Sequence, residues 1–308
     1  MPDMDGAPLV RALAGVVIWY AALTTALNRT APGAEPIVFR IAISETVAGE
    51  LNGNDASAAM RAWADEVRRQ TGVSIEPELC TAAQLQQRIR SRQADAFSLN
   101  ILEFVAIAGF ADRELVVEQN DLPDGQDYLL LVHQSSGIQN LADLRGRSLL
   151  LYRNRKMCLD RVWLETLLAS AHLGPSETFL GRVENNTKLS RVVLPVFFRQ
   201  ADACLVTRGG YNTMCDLNPQ LSKQLRPLAV SPKLLTTFLA YLKGGPLQTK
   251  GRFLSAVTDL YKTAGGQQAL TLFGGARLVP ADVSVLRNSL DMMRAYERLK
   301  GKLPAAGQ

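Results

Sequence analysis

The chain has 308 residues, 47% of them hydrophobic and 20% charged, a balance that argues against a disordered or low-complexity chain and leaves room for two packed lobes. Its net charge of +5 comes from dispersed Lys and Arg rather than long basic runs. That argues against a nucleic-acid footprint and leaves a bias towards anionic ligands or surfaces.

The N-terminus differs from the rest. Arg11 precedes an apolar stretch over 12–27, and small residues follow up to Ala34. This pattern predicts a secretory signal over 1–34, with candidate cleavage after Ala26 or Ala34. Asp3 and Asp5 offset Arg11 and Arg29, so an uncleaved anchor is the alternative. Either way the chain is expected outside the cytoplasm, in the periplasm. The stretch contains no cysteine, which argues against a lipoprotein anchor.

From 37 onward, strand and helix patterns alternate. Strands are predicted over 37–44, 73–79, 94–99, 115–118 and 128–133, with helices over 56–70, 82–92 and 101–110 between the first four. A second unit follows, with strands over 148–152, 177–183 and 201–206 and helices over 159–172 and 189–199. A further helix is predicted after Gly209 and Gly210. Strands return over 225–230 and 236–242, and helices over 249–264, 267–273 and 283–300 close the chain. Such alternation calls for α/β units with parallel sheets. Two lobes are expected, with the helical tail completing the first: lobe 1 from 35–132 plus 229–308, lobe 2 from 133–228. Segments 128–134 and 225–231 are the expected crossovers, with a hinged cleft between the lobes.

The candidate site residues lie where strands end. The segment 141–157 places Arg153, Asn154, Arg155 and Lys156 at a strand–helix junction, a place that favours anions. A solvated basic loop, or one paired with acids across the cleft, is the alternative. Ser44 and Thr46 end the first strand and can donate to a ligand or cap a helix; Ser98 and Asn100 end the third, where Asn100 can also be an N-cap. Thr207, Arg208 and Tyr211 flank a glycine pair that permits close backbone approach, with Arg208 a second cation and Tyr211 a stacking or hydrogen-bonding group.

Other chemistry is poorly supported. Cys80, Cys158, Cys204 and Cys215 lack zinc-ligand spacing, although a Cys158–Cys215 bridge is one option in an oxidising compartment. His133 and His172 sit on different elements, and no nucleotide, zinc-protease or serine-hydrolase motif is present. No cofactor and no metal are implied, and no catalytic residue is assigned.

The ordered set of segments ADAFSLN (94–100), LADLRGRSLLL (141–151), ADACLVTRGGY (201–211) and SPKLL (231–235) resembles the type 2 periplasmic solute-binding proteins, closest to the phosphate/phosphite/phosphonate-binding components of ABC importers. The resemblance covers most of 35–302. It implies a bilobal fold with two crossovers and a helical C-terminal tail. It also implies a non-enzymatic, monomeric protein that closes on a small anion and delivers it to a membrane permease. A ligand-sensing partner of a membrane signalling protein, and an enzyme on the same fold, are the alternatives. One departure bears on the ligand. Phosphonate binders of this family usually carry Ser and Thr hydroxyls after the strand matching 148–152, where this chain has Arg153 to Lys156. Guanidinium groups suit a larger anion or a carboxylate.

Overall fold

The computed structural model describes residues 38–48, 53–121, 125–245, 247–272 and 277–300. The expected signal or anchor, 1–34, lies outside these residues. Among the described residues, no helix is long and apolar enough to cross a membrane.

Two mixed sheets organise the chain. The first contains β1 (Val38–Ser44), β2 (Ser74–Cys80), β3 (Ala96–Asn100), β4 (Ala111–Glu118), β10 (Thr237–Leu242) and β11 (Leu278–Asp282), in the order β11-β4-β10-β3-β1-β2. The second contains β5 (Tyr128–His133), β6 (Ser148–Tyr152), β7 (Arg182–Asn186), β8 (Ala203–Thr207) and β9 (Leu225–Val230), in the order β7-β6-β8-β5-β9. Strands β1, β2 and β3 run parallel, as do β6, β7 and β8. In the first sheet β10 pairs antiparallel with β3 and β4, and β11 with β4. In the second, β5 pairs antiparallel with β8 and β9.

The apolar pattern explains where the strands sit. Tyr128 to Val132 is fully buried, as suits an interior strand covered on both faces. Leu129 and Leu131 face one apolar cluster, and Tyr128, Leu130 and Val132 face another. The edges follow proline. Pro77, Pro227 and Pro280 lie in β2, β9 and β11, and all three are edge strands, where a missing N–H costs no ladder bond.

Four expectations change. Strands 128–133 and 225–230 pair with each other inside the second sheet, so the crossovers lie beyond them, between β4 and β5 and between β9 and β10. There Gln126 and Leu234 form an isolated antiparallel bridge, with N–H···O distances of 3.0 and 2.8 Å. The strand expected over 177–183 is a short helix, Ser176–Phe179, followed by β7. The tail does more than complete the first lobe. Its last helix, α12 (Arg287–Lys300), packs on helix α5 (Asp160–Ser170) of the second. It also reaches the crossover: Asn288 Nδ2 donates to the Lys233 carbonyl at 3.1 Å and Ser289 Oγ to the Leu235 carbonyl at 2.8 Å. The remaining helices keep the numbering of the chain: α1 (Glu45–Ala48), α2 (Gly53–Thr71), α3 (Ala82–Arg90), α4 (Ile101–Val105), α6 (Ser176–Phe179), α7 (Ser190–Phe197), α8 (Arg208–Leu217), α9 (Gln220–Gln224), α10 (Leu247–Asp259) and α11 (Ala264–Leu272). All four cysteines are free thiols, so the Cys158–Cys215 bridge is not formed.

The crossover bridge depends on Gly125. Its φ of +95° is a glycine conformation, and a Cβ there would lie 2.1 Å from the Leu234 carbonyl carbon. Gly125→Ala must therefore both strain the backbone and push the two crossovers apart. The expected cost is about 3 kcal/mol, seen as a fall in melting temperature of roughly 5–10 °C by calorimetry.

Candidate functional site

The candidate residues cluster at the C-terminal ends of β1, β3, β6 and β8, where parallel strands hand over to helices and open α/β sheets bind ligands. The local geometry separates them into groups.

In the first lobe, Ser44, Thr46 and Asn100 do come together, around a carboxylate the sequence reading did not select. Ser44 Oγ donates to Glu103 Oε1 at 2.6 Å and Thr46 Oγ1 to Glu103 Oε2 at 3.0 Å. Asn100 Nδ2 donates to Thr46 Oγ1 at 3.0 Å. Asn100 and Glu103 also form a reciprocal capping box at the start of α4, which is why Glu103 points back to this corner. The hydroxyls therefore serve a carboxylate. Ser98 stands apart from them. It is opposite Ile43 on one side and Leu239 on the other, on the floor of an apolar pocket.

In the second lobe, every cation of the basic loop has an acidic partner. Arg153 Nη1 lies 3.2 Å from Asp160 Oδ2. Arg155 Nη2 pairs with Glu118 Oε1. Lys156 Nζ lies 2.8 Å from Glu118 Oε2 and 2.9 Å from Asp121 Oδ1. Glu118 ends a first-lobe strand and Asp121 lies in the crossover, so these pairs tie the second lobe to the first and to the hinge. Arg155 and Lys156 keep only 19% and 15% of their side-chain exposure, which makes this cluster far less screened than a surface pair. Asn154 accepts from the Lys156 N–H at 2.6 Å and so shapes the loop as an N-cap. The Lys156 carbonyl accepts from Tyr128 Oη at 2.6 Å and from Thr236 Oγ1 at 3.3 Å.

Arg208 is tied down as well: its guanidinium donates from Nε to Asp127 Oδ2 at 2.7 Å, and Thr207 caps its helix by accepting from Gly210 N–H. Tyr211 is a correction. It is buried in the second-lobe core, and its hydroxyl donates to the Leu221 carbonyl at 3.1 Å. With Met214 and Cys215 three and four residues on, it belongs to the inner face of α8, not to the cleft.

Cys158 and Asp160, just past the basic loop, are both shifted by burial. Burial pushes the Cys158 thiol up to about 12, helped by the nearby carboxylates Asp160 and Glu103, so it is an unreactive thiol at neutral pH. Burial also raises the Asp160 carboxyl, against the pull of Arg153, whose charge is 44% exposed and partly screened. Among the described residues, no group of three or more His, Cys, Asp or Glu is placed to hold a metal ion.

The model of the phosphonate-binding periplasmic substrate-binding proteins of ABC transporters matches residues 48–286. The chain belongs to this family. It is a family of transporter binding components, not of enzymes. Solved structures similar to the chain carry the same bilobal fold. A binding-protein component of an ABC phosphonate transporter from Pseudomonas aeruginosa is 16% identical, with TM-score 0.57, covering 89% of this chain and 91% of that one. A Xanthomonas citri protein bound to ATP is 13% identical, with TM-score 0.59, covering 87% and 99%. A Prochlorococcus marinus protein in complex with methylphosphonate is 14% identical, with TM-score 0.57, covering 86% and 100%. No curated protein matches the chain.

The raised Asp160 pKa fixes a pH dependence. A carboxyl with a folded-state pKa above its unfolded value favours folding when protonated. Its contribution is complete below the ordinary carboxylate pKa and is lost as pH rises through the folded value. Asp160→Asn is therefore expected to melt a few degrees above the unsubstituted protein at about pH 8, with the gap closing towards about pH 4. Calorimetric melting across that range checks it; a variant that melts lower at high pH would mean that the Arg153 attraction outweighs burial.

Proposed function

We propose that this member of the family captures a small anion outside the cytoplasm and delivers it to the membrane permease of an ABC importer, acting as a monomer and without catalysis. The observation that carries the anionic reading is the pair Arg155 and Lys156: two nearly buried cations on a second-lobe loop, facing carboxylates from the first lobe and the hinge. The ATP and methylphosphonate bound by the Xanthomonas citri and Prochlorococcus marinus proteins are both anions, which supports the same class of ligand here.

The mechanism is an exchange of carboxylate partners. Without ligand, Glu118 and Asp121 neutralise the loop cations. An anion entering the cleft takes over Arg155 and Lys156, and the lobes settle on it about the Gln126–Leu234 bridge. A guanidinium can grip a phosphonate or a carboxylate through two parallel N–H···O bonds. Arg153 and Arg208 keep their own counter-ions, Asp160 and Asp127, and act at most as long-range attraction. Ser44, Thr46 and Asn100 then shape the first-lobe wall through Glu103 rather than holding the anion.

Melting temperature should rise with methylphosphonate, phosphate esters or carboxylates in the class that binds. Arg155→Ala and Lys156→Ala should each weaken that ligand by roughly 10- to 100-fold in titration calorimetry, the loss of a charged hydrogen bond. Glu118→Gln should act the other way. It removes the internal competitor and tightens the anion by about tenfold. No thermal shift in any of the three ligand classes, or an Arg155→Ala variant that binds unchanged, would sink this reading.

A further inference from the structure

The two sheets have four edge strands, β2, β7, β9 and β11. Three of them carry proline: Pro77, Pro227 and Pro280. Proline withholds an N–H and so discourages a further strand from adding. β7, with the sequence RVENN, has none, and among the described residues only β6 pairs with it. The Asn186 carbonyl faces β6, because it accepts from the Arg153 N–H at 2.9 Å. Peptide groups alternate in direction along a strand, so those of Val183 and Asn185 face outwards. Among the described residues nothing pairs with them on that side. The surroundings are cationic. Arg182, Glu184 and Asn186 share the face that carries Ser148, Leu150 and Tyr152 of β6. Between this face and α7 lies a groove of about 190 Å³, walled by Arg191, Pro195 and Gln200. Lys188 and Arg191 are exposed and have no carboxylate partner among the described residues. Arg182 has only Glu184, two residues along its own strand. Three cations therefore face one carboxylate.

We propose that β7 is a docking edge for an extended, acidic segment of a partner protein, which adds to the five-stranded second sheet as a further strand. Main-chain hydrogen bonds to Val183 and Asn185 hold the segment in register. Its carboxylates take Arg182 over from Glu184 and meet Arg191 across the groove. The charge selects the occupant. A second copy of this chain would set the same three cations against themselves, whereas an acidic segment neutralises them. The edge uses none of the residues proposed to grip the solute, so it stands or falls apart from that reading.

A capped peptide of alternating aspartate and valine, titrated into the full chain by calorimetry, tests this. Its binding should weaken with added salt. A peptide with lysine in place of aspartate should not bind. Methylating the main-chain nitrogens of the acidic peptide should cost it roughly tenfold or more, because strand addition needs those N–H groups. Amide exchange at Val183 and Asn185 should slow roughly tenfold in the complex. Asn185→Pro gives β7 what the other edges already have, and Arg191→Glu reverses a charge on the neighbouring helix. Each should weaken the peptide by roughly tenfold or more with the melting temperature unchanged. Should Asn185→Pro fail to fold, Arg191→Glu decides the matter alone. No binding of the acidic peptide, or equal binding of its methylated or lysine counterpart, would overturn the proposal. So would a chain that sediments as a dimer until Asn185→Pro is introduced, since the edge would then belong to a second copy.

Discussion

Charges kept from water must be neutralised within the fold, and in this chain that requirement holds the cleft together. Arg155 and Lys156 are partly enclosed, and Glu118 and Asp121 supply the counter-charge. Because those acids lie on the first lobe and the crossover, neutralising the loop also fixes where the second lobe stands. The backbone adds a second tie. The Lys156 carbonyl collects hydrogen bonds from Tyr128, on an interior second-lobe strand, and from Thr236, at the end of the other crossover. One loop therefore touches both crossovers. In the proposed mechanism, a ligand that takes over its cations would remove the restraint on the lobes at the same moment, coupling binding to movement without any separate trigger.

The rest of the architecture limits what that movement can be. A single apolar cluster runs from Phe97 and Leu99 in the first lobe, through Leu234 and Leu235 in the crossover, to Leu130 and Leu149 in the second. Leu286 and Met292, before and within α12, belong to the same cluster. The C-terminal helix follows a first-lobe strand in sequence but packs on a second-lobe helix, and it hydrogen-bonds the crossover between them. The lobes thus share packing beneath the crossovers. The closure proposed above is then a rotation about the Gln126–Leu234 bridge rather than a separation of independent domains.

How much of this could be read from the sequence follows from the range of each interaction. Local signals worked. The buried run of β5 and the short apolar strand β6 were plain from their patterns, and the Asn100–Glu103 spacing is a readable capping box. Two elements were misread for local reasons. Pro175 followed by Ser176 and Glu177 starts a helical turn rather than extending a strand, and Pro280 hid β11, which tolerates proline because it is an edge. The position of the cationic loop was legible, but its counter-ions were not. Glu118 and Asp121 lie 37 and 35 residues from Arg155 and Lys156, and Asp127 lies 81 from Arg208. Only the folded topology brings such pairs together. Tyr211 misled for the opposite reason: its neighbourhood suggested a site, while its helical spacing with Cys215 made it core.

In the proposed binding role, the same ion cluster sets the terms of selectivity. Serine and threonine hydroxyls greet an anion with neutral donors that ask for no exchange, whereas Arg155 and Lys156 already hold carboxylates. An incoming head group must outcompete Glu118, and charge alone gives it little advantage, because one carboxylate merely replaces another. The margin has to come from something the internal carboxylates cannot offer. A phosphonate offers a third oxygen and more negative charge.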